Sequence, residues 1–238
     1  MNETRAIWDV EQNYVLYHFV RQSQRFPDVI LRSAASIAQQ DIIMGIELKG
    51  WYALAKEREP SFRYVVTPAV CAPADLLVVF PWALSNVVSG TPRLFQPCIV
   101  GARYAALYRN WHWQHKRSTL SDTGIVTSTM TNHYPAKTDP ISDVAKSDGG
   151  GNFGRFARTG LMDTYIDALY REELLGIPLG AWQRFLSLFA ENRTEDAINR
   201  EPDRMAADVA RGRVGPPTTM TQEIVKRLGD IVELLGHG

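Results

Sequence analysis

Residues 26–51 read FPDVILRSAASIAQQDIIMGIELKGW, two runs rich in Val, Ile and Leu on either side of a small, polar stretch. Runs of that length and composition, 26–32 and 42–51, predict two strands joined by a loop. What constrains them is charge. Asp28, Glu47 and Lys49 lie inside segments that otherwise look like core. Alternate side chains of a strand share a face. In 42–49 the even positions Ile42, Met44, Ile46 and Leu48 form an apolar face, and Ile43, Gly45, Glu47 and Lys49 form the other. Glu47 and Lys49 therefore point the same way, with Leu48 expected to be buried opposite. An antiparallel hairpin that sets Ser33 against Ile42 across the loop 34–41 gives opposed residues whose numbers sum to 75, and Asp28 then falls opposite Glu47. Directly opposed Cβ atoms in such a pair are roughly 5 Å apart.

Two carboxylates that close repel unless something compensates. A hard, oxygen-preferring dication does so, and Mg²⁺ uses one or two carboxylates while keeping its other positions for water and substrate phosphate. Lys49, beside such an ion, is placed to orient an attacking water or to stabilise charge developing on a phosphate. Asp41 is the weaker candidate, because six residues of extended strand carry it about 20 Å from Glu47. The competing explanation is an exposed hairpin face with ordinary paired charges.

The rest of the chain limits the function classes. It has 238 residues, 45% of them hydrophobic and 22% charged, which is ordinary for a globular protein. The 26 basic and 26 acidic residues cancel, so any nucleic-acid contact must be local. Cys71 and Cys98 are too few for a disulfide framework and fit a reducing compartment. No apolar leader opens the chain and no run approaches the ~20 apolar residues of a membrane span. These features predict a soluble cytoplasmic protein.

Helical spacing of Ile7, Val10, Tyr14 and Tyr17 predicts a helix over 6–22. SFRYVVT (61–67) and DLLVVF (75–80) read as strands, with Pro81 ending the second. A helix is expected from 97 to 116, its buried stripe made of Val100, Tyr104, Leu107 and Trp111. Residues 118–160 read as a long loop of the kind that is functional or disordered. The segments 161–199 and 219–235 read as helices, broken around Gly176–Pro178 and Gly212–Pro217. The sum is one mixed α/β (α+β) domain with a mixed sheet and a helical C-terminal part.

Pro27-Asp28, eighteen intervening residues and then Glu47-Leu48-Lys49 together resemble the PD-(D/E)XK nuclease superfamily, the fold of most type II restriction endonucleases. The likeness is specific over 26–51 and looser, as an order of elements, to about residue 116. It implies a restriction-endonuclease-like core over 1–117 flanked by helices, a loop at 118–160 available for DNA contact, and a helical part at 161–238 of the same domain. It further implies that Asp28 and Glu47, with the Leu48 carbonyl, bind Mg²⁺, and that Lys49 acts on the attacking water. Many members carry a glutamate on the first helix near the metal, and Glu11 matches it by position alone.

Between Asp75 and Asp122 there is no acidic residue, yet Arg93, Arg103, Arg109, Lys116 and Arg117 lie there. That local excess of cations fits a phosphate footprint or a solvated helix face. Arg109 and Lys116 fall opposite the expected apolar stripe, with Arg103 and Arg117 on its flank. His112 and His115 have helical spacing but no carboxylate or cysteine partner nearby, so packing or phosphate contact explains them better than metal. GGGNFGRFAR (149–158) fits neither nucleotide-binding fingerprint. It reads as a flexible linker, with Arg155 and Arg158 available to DNA. Three functions compete: a Mg²⁺-dependent type II restriction enzyme acting as a homodimer on double-stranded DNA, a repair, recombination or mobile-element nuclease of the same fold, and a non-catalytic DNA-binding module.

Overall fold

The structure, a computed structural model, describes residues 1–34, 41–116 and 122–190, with side chains to 187, and four isolated positions beyond. The expected helix at 219–235, the break at 212–217 and Arg117 lie outside the described residues. Within them the chain is mixed α/β. Its largest sheet runs β1 (Tyr17–Arg21), β2 (Val29–Ser33), β3 (Ile42–Tyr52), β4 (Leu76–Leu84) and β5 (Pro92–Leu94), and β6 (Cys98–Gly101) also pairs with β4. No described helix is long and apolar enough to cross a membrane.

The chain divides into two compact units. The first comprises Met1–Gly50, Ser61–Phe80 and Pro97–Leu161, so the long segment 122–160 belongs with the hairpin. The expected N-terminal helix is one turn, α1 (Arg5–Trp8). The chain leaves it because the buried Asp9 accepts the Tyr14 backbone N–H at 3.1 Å and Arg5 at 3.3 Å, while Arg5 also donates to the Tyr14 carbonyl at 2.6 Å. The aromatic and β-branched segment 17–21 then forms a strand rather than continuing a helix.

Residues 61–67 make only isolated bridges, Arg63 to Arg155 and Val66 to Ser142, instead of a strand. They pair with the long segment, which is packed and irregular rather than a free loop. It carries the short ladder β7 (Ile125–Val126) and β8 (Val144–Ala145). The glycine run is a pinned turn, not a linker. Arg63 and Arg155 donate to the Gly151 carbonyl, and Gly154, at φ +80°, lies so close to Val65 that a Cβ would stand 2.4 Å from its methyl carbon. Phe153 and Ala145 pack with Trp113 in a small buried cluster.

Helix α2 (Ala102–Lys116) follows β6, and its buried stripe is Ala102, Ala105, Ala106, Arg109 and Trp113. Of the stripe expected to be buried, Tyr104, Leu107 and Trp111 are exposed, and Val100 is half-buried on β6. Three alanines let the helix approach its neighbours closely, and Arg109 is the cation that the packed segment requires. Its guanidinium, 1% exposed, donates to Asp143 at 2.7 Å and to the carbonyls of Tyr64 and Val66 at 2.8 and 2.9 Å. A buried Arg with all these partners is structural. Arg109 therefore does not face DNA.

The second unit comprises Trp51–Pro60, Pro81–Gln96 and the chain from Met162. β4 does not end at Pro81. Its first half pairs with β6 and its second half, from Trp82, pairs with β5, so the proline sits at the exchange of partners and its carbonyl accepts the Phe95 N–H at 3.0 Å. Its described elements include the helices α3 (Asp163–Leu169) and α4 (Leu179–Ala190), with a two-residue ladder, β9 (Glu173–Leu174) and β10 (Ile177–Pro178), at the expected break. Tyr170 and Gln183 hold the 53–56 backbone by hydrogen bonds of 3.1–3.3 Å.

Candidate functional site

The β2–β3 register brings the hairpin charges together. Val29 pairs with Ile46, Ile30 with Gly45 and Leu31 with Met44. The ladder ends at Val29–Ile46, and the expected opposition of Asp28 and Glu47 is the next step of the same register. Nearer the loop the register differs from expectation. A bulge between Leu31 and Arg32 makes Arg32, not Ser33, the partner of Ile42. The bulge absorbs one residue and leaves the charged end of the hairpin in place.

Contacts fix the charged groups. Asp28 Oδ2 accepts the Leu48 backbone N–H at 2.8 Å, and Lys49 Nζ lies 2.7 Å from Glu47 Oε1. The faces of β3 are the reverse of the expectation. Leu48 is 38% exposed, while Glu47 is 8% exposed and Gly45 is buried beneath the ring of Pro27. The face bearing the charges is the more buried one, and it opens onto a cleft that residues of the segment 135–141 also line. Burial pushes the Glu47 carboxyl above the usual carboxylate range. The Lys49 ammonium opposes that rise, and the negative charge of Asp28 adds to it.

Glu47 and Asp28 open onto a cleft of about 290 Å³, lined also by Arg25, Lys137 and Asp139. Arg25 and Lys137 have no hydrogen-bond or ion-pair partner among the described residues. The cleft thus sets two cations, Arg25 and Lys137, among three carboxylates, Asp28, Glu47 and Asp139. Sequence reasoning missed Arg25, although its place three residues before Asp28, on the turn between β1 and β2, was a usable signal.

Asp75 ties three segments of the chain together. Its buried carboxylate accepts the Gly45 N–H at 2.6 Å, the Ala72 N–H at 2.7 Å and the Tyr134 hydroxyl at 2.9 Å. Burial raises its pKa against the pull of these donors. Asp75 thus holds β3 and the start of the cleft wall to one atom group.

The donor chemistry fits Mg²⁺. Two carboxylates are close enough for the charge of one to shift the titration of the other, and Glu47 is already desolvated. In a strand the N–H and C=O of one residue leave on the same side, so the Leu48 carbonyl leaves β3 on the flank where its N–H meets Asp28. Among the described residues no group of three or more His, Cys, Asp or Glu side chains gathers as a metal site. A two-carboxylate site completed by a carbonyl and water needs no such group.

The remaining expected residues divide. Glu11 lies on an exposed turn, hydrogen-bonded by Asn13 at 3.0 Å, and the helix that was to carry it ends at Trp8. Its positional match is thereby removed. Arg103 and Lys116 are exposed on α2. Arg155 is half-buried on the Gly151 carbonyl, and Arg158 donates to Asn152, so both help to shape the glycine turn. No protein-family model, curated protein or solved structure matches this chain.

Proposed function

We propose that the chain is a Mg²⁺-dependent DNA endonuclease, a sequence-specific type II restriction enzyme acting as a homodimer on double-stranded DNA. One observation carries the reading: Asp28, next to the Val29–Ile46 pair that ends the ladder, accepts the Leu48 amide at 2.8 Å, while Lys49 Nζ lies 2.7 Å from Glu47 Oε1 on the same strand. Asp28, Glu47 and the Leu48 carbonyl would hold the ion, which when bound offsets the repulsion of the two acids and draws electrons from a phosphate oxygen. Lys49 donates a hydrogen bond to the attacking water and so aims it at phosphorus. As the water oxygen bonds to phosphorus its proton passes to solvent, the ester bond breaks and the leaving oxygen takes a proton from solvent water, while the same ammonium stabilises the added negative charge. Arg25 and Lys137 draw the flanking phosphates into the cleft and fix their distance from the acids.

A second reading of the same cleft, a nuclease selecting branched or partly unpaired DNA, is favoured by the exposed aromatic row on α2. The test is digestion of DNA of known sequence with Mg²⁺, followed by end mapping. Discrete fragments that vanish with EDTA and fall by roughly 10²–10⁴-fold in rate for Lys49→Ala support hydrolysis at this site. Fixed end sequences indicate the restriction class, and cuts confined to flaps or junctions indicate the second reading. DNA left intact in every form rejects both.

A further inference from the structure

The outward face of α2 is unusually aromatic. Tyr104 is 55% exposed, Leu107 51% and Trp111 43%, and Ile99 on the preceding strand is exposed as well. Tyr104, Tyr108, Trp111 and His115 recur at helical spacing and form one stripe about 16 Å long. Their rings touch in series, with centroids 6.0, 5.5 and 5.6 Å apart and planes inclined by 32°, 35° and 21°. Lys116 lies 5.6 Å from the Trp111 ring centre, and Arg103 is exposed at the other end of the helix. No Asp or Glu occurs from residue 76 to 121.

Exposed apolar surface of this extent marks a binding face. Charge decides the occupant. Two copies of α2 packed antiparallel would set Arg103 against Lys116, and packed parallel would set each cation against itself, with no acid in the segment to answer either. A nucleic-acid strand meets both features at once, its phosphates at the cations and its bases on the rings. We propose that this face of α2 binds an unpaired stretch of DNA, with bases stacked on Trp111 and Tyr104 and phosphates drawn to Arg103 and Lys116. The choice of DNA over RNA rests on the nuclease reading of the cleft; the binding itself does not.

The test is fluorescence anisotropy of a labelled oligothymidylate titrated with the full chain in EDTA, where no hydrolysis intervenes. Trp111→Ala is expected to weaken binding by roughly 5- to 150-fold, and Trp111→Phe to retain most of it. Arg103→Gln and Lys116→Gln each reduce the slope of log K against log salt by about 0.7. Because Trp111 is exposed, unchanged melting of the variants confirms that folding is intact. Equal affinity of wild type and Trp111→Ala overturns the proposal. So does a wild-type dimer, seen by sedimentation, that Trp111→Ala dissociates without loss of DNA binding. Trp111-dependent binding in a protein that cleaves nothing upholds this face and removes the nuclease reading. Cleavage abolished by Glu47→Ala beside Trp111-independent binding does the reverse.

Discussion

Gly45→Ala probes the hairpin while leaving Asp28, Glu47 and Lys49 unaltered. Gly45 is excluded from bearing a side chain by space: a Cβ there would stand 2.2 Å from Pro27 Cγ, 3.1 Å from Pro27 Cβ and 3.0 Å from Asp75 Oδ1. A real contact requires the proline ring to retreat by roughly 1 Å in a close-packed interior. Overpacking of that kind costs about 1–3 kcal/mol. For a chain of this size that lowers Tm by about 2–12 °C. The displaced ring precedes Asp28, so the carboxylate moves with it, and misplacement of a positioned group by about 1 Å costs on the order of 10²-fold in rate. Gly101→Ala is the control, since its Cβ would meet nothing closer than Tyr104 Cβ at 3.7 Å. The assays are thermal melting without metal and initial cleavage rates with Mg²⁺. A Gly45→Ala protein that melts lower yet cleaves at the wild-type rate refutes the role of Asp28. One that matches Gly101→Ala in both assays refutes the packing argument itself.

Three further outcomes are expected. The folded pKa of Glu47 is raised above its ordinary 4.5, so the folded chain retains a proton that the unfolded chain gives up, and this residue's contribution to stability falls as pH rises through that interval. Urea denaturation in EDTA from pH 4 upward should therefore show Glu47→Gln gaining on wild type with pH before levelling off; a constant difference contradicts it. Arg25→Ala and Lys137→Ala should each weaken duplex binding in EDTA and flatten the salt slope by about 0.9, and unchanged slopes would place the phosphates elsewhere. Arg109→Ala should cost about 3–5 kcal/mol by leaving Asp143 buried and unpaired. Arg103→Ala, at an exposed position, should stay within about 0.5 kcal/mol in the same denaturation series.

The hairpin was legible because strand periodicity and loop length bear directly on register, and the one-residue bulge near the loop left its far end unaffected. Which face would be covered was not legible. Apolar alternation made Leu48 the inner residue, but the cleft beside Glu47 is lined by residues of the segment 135–141, whose irregular backbone leaves no periodic trace. The same limit inverted α2. Its large aromatics look like core, whereas the helix packs by its alanines around a cation paired 34 residues away with Asp143. At the N-terminus, helical spacing of apolar residues was outweighed by the Arg5–Asp9 turn and the strand preference of 17–21.

The single carboxylate of Asp75 joins the strand that carries the acids to the wall that closes over them. Beyond the Tyr134 hydroxyl, the wall is held through its backbone, the Ile141 carbonyl taking the Thr67 N–H and the Pro140 carbonyl the Ser128 hydroxyl, which leaves its side chains free to change. Floor and cover can then diversify at different rates: new residues at 135–141 would alter what enters the cleft without resetting the acids below. A chain built this way can acquire a new target by editing one segment.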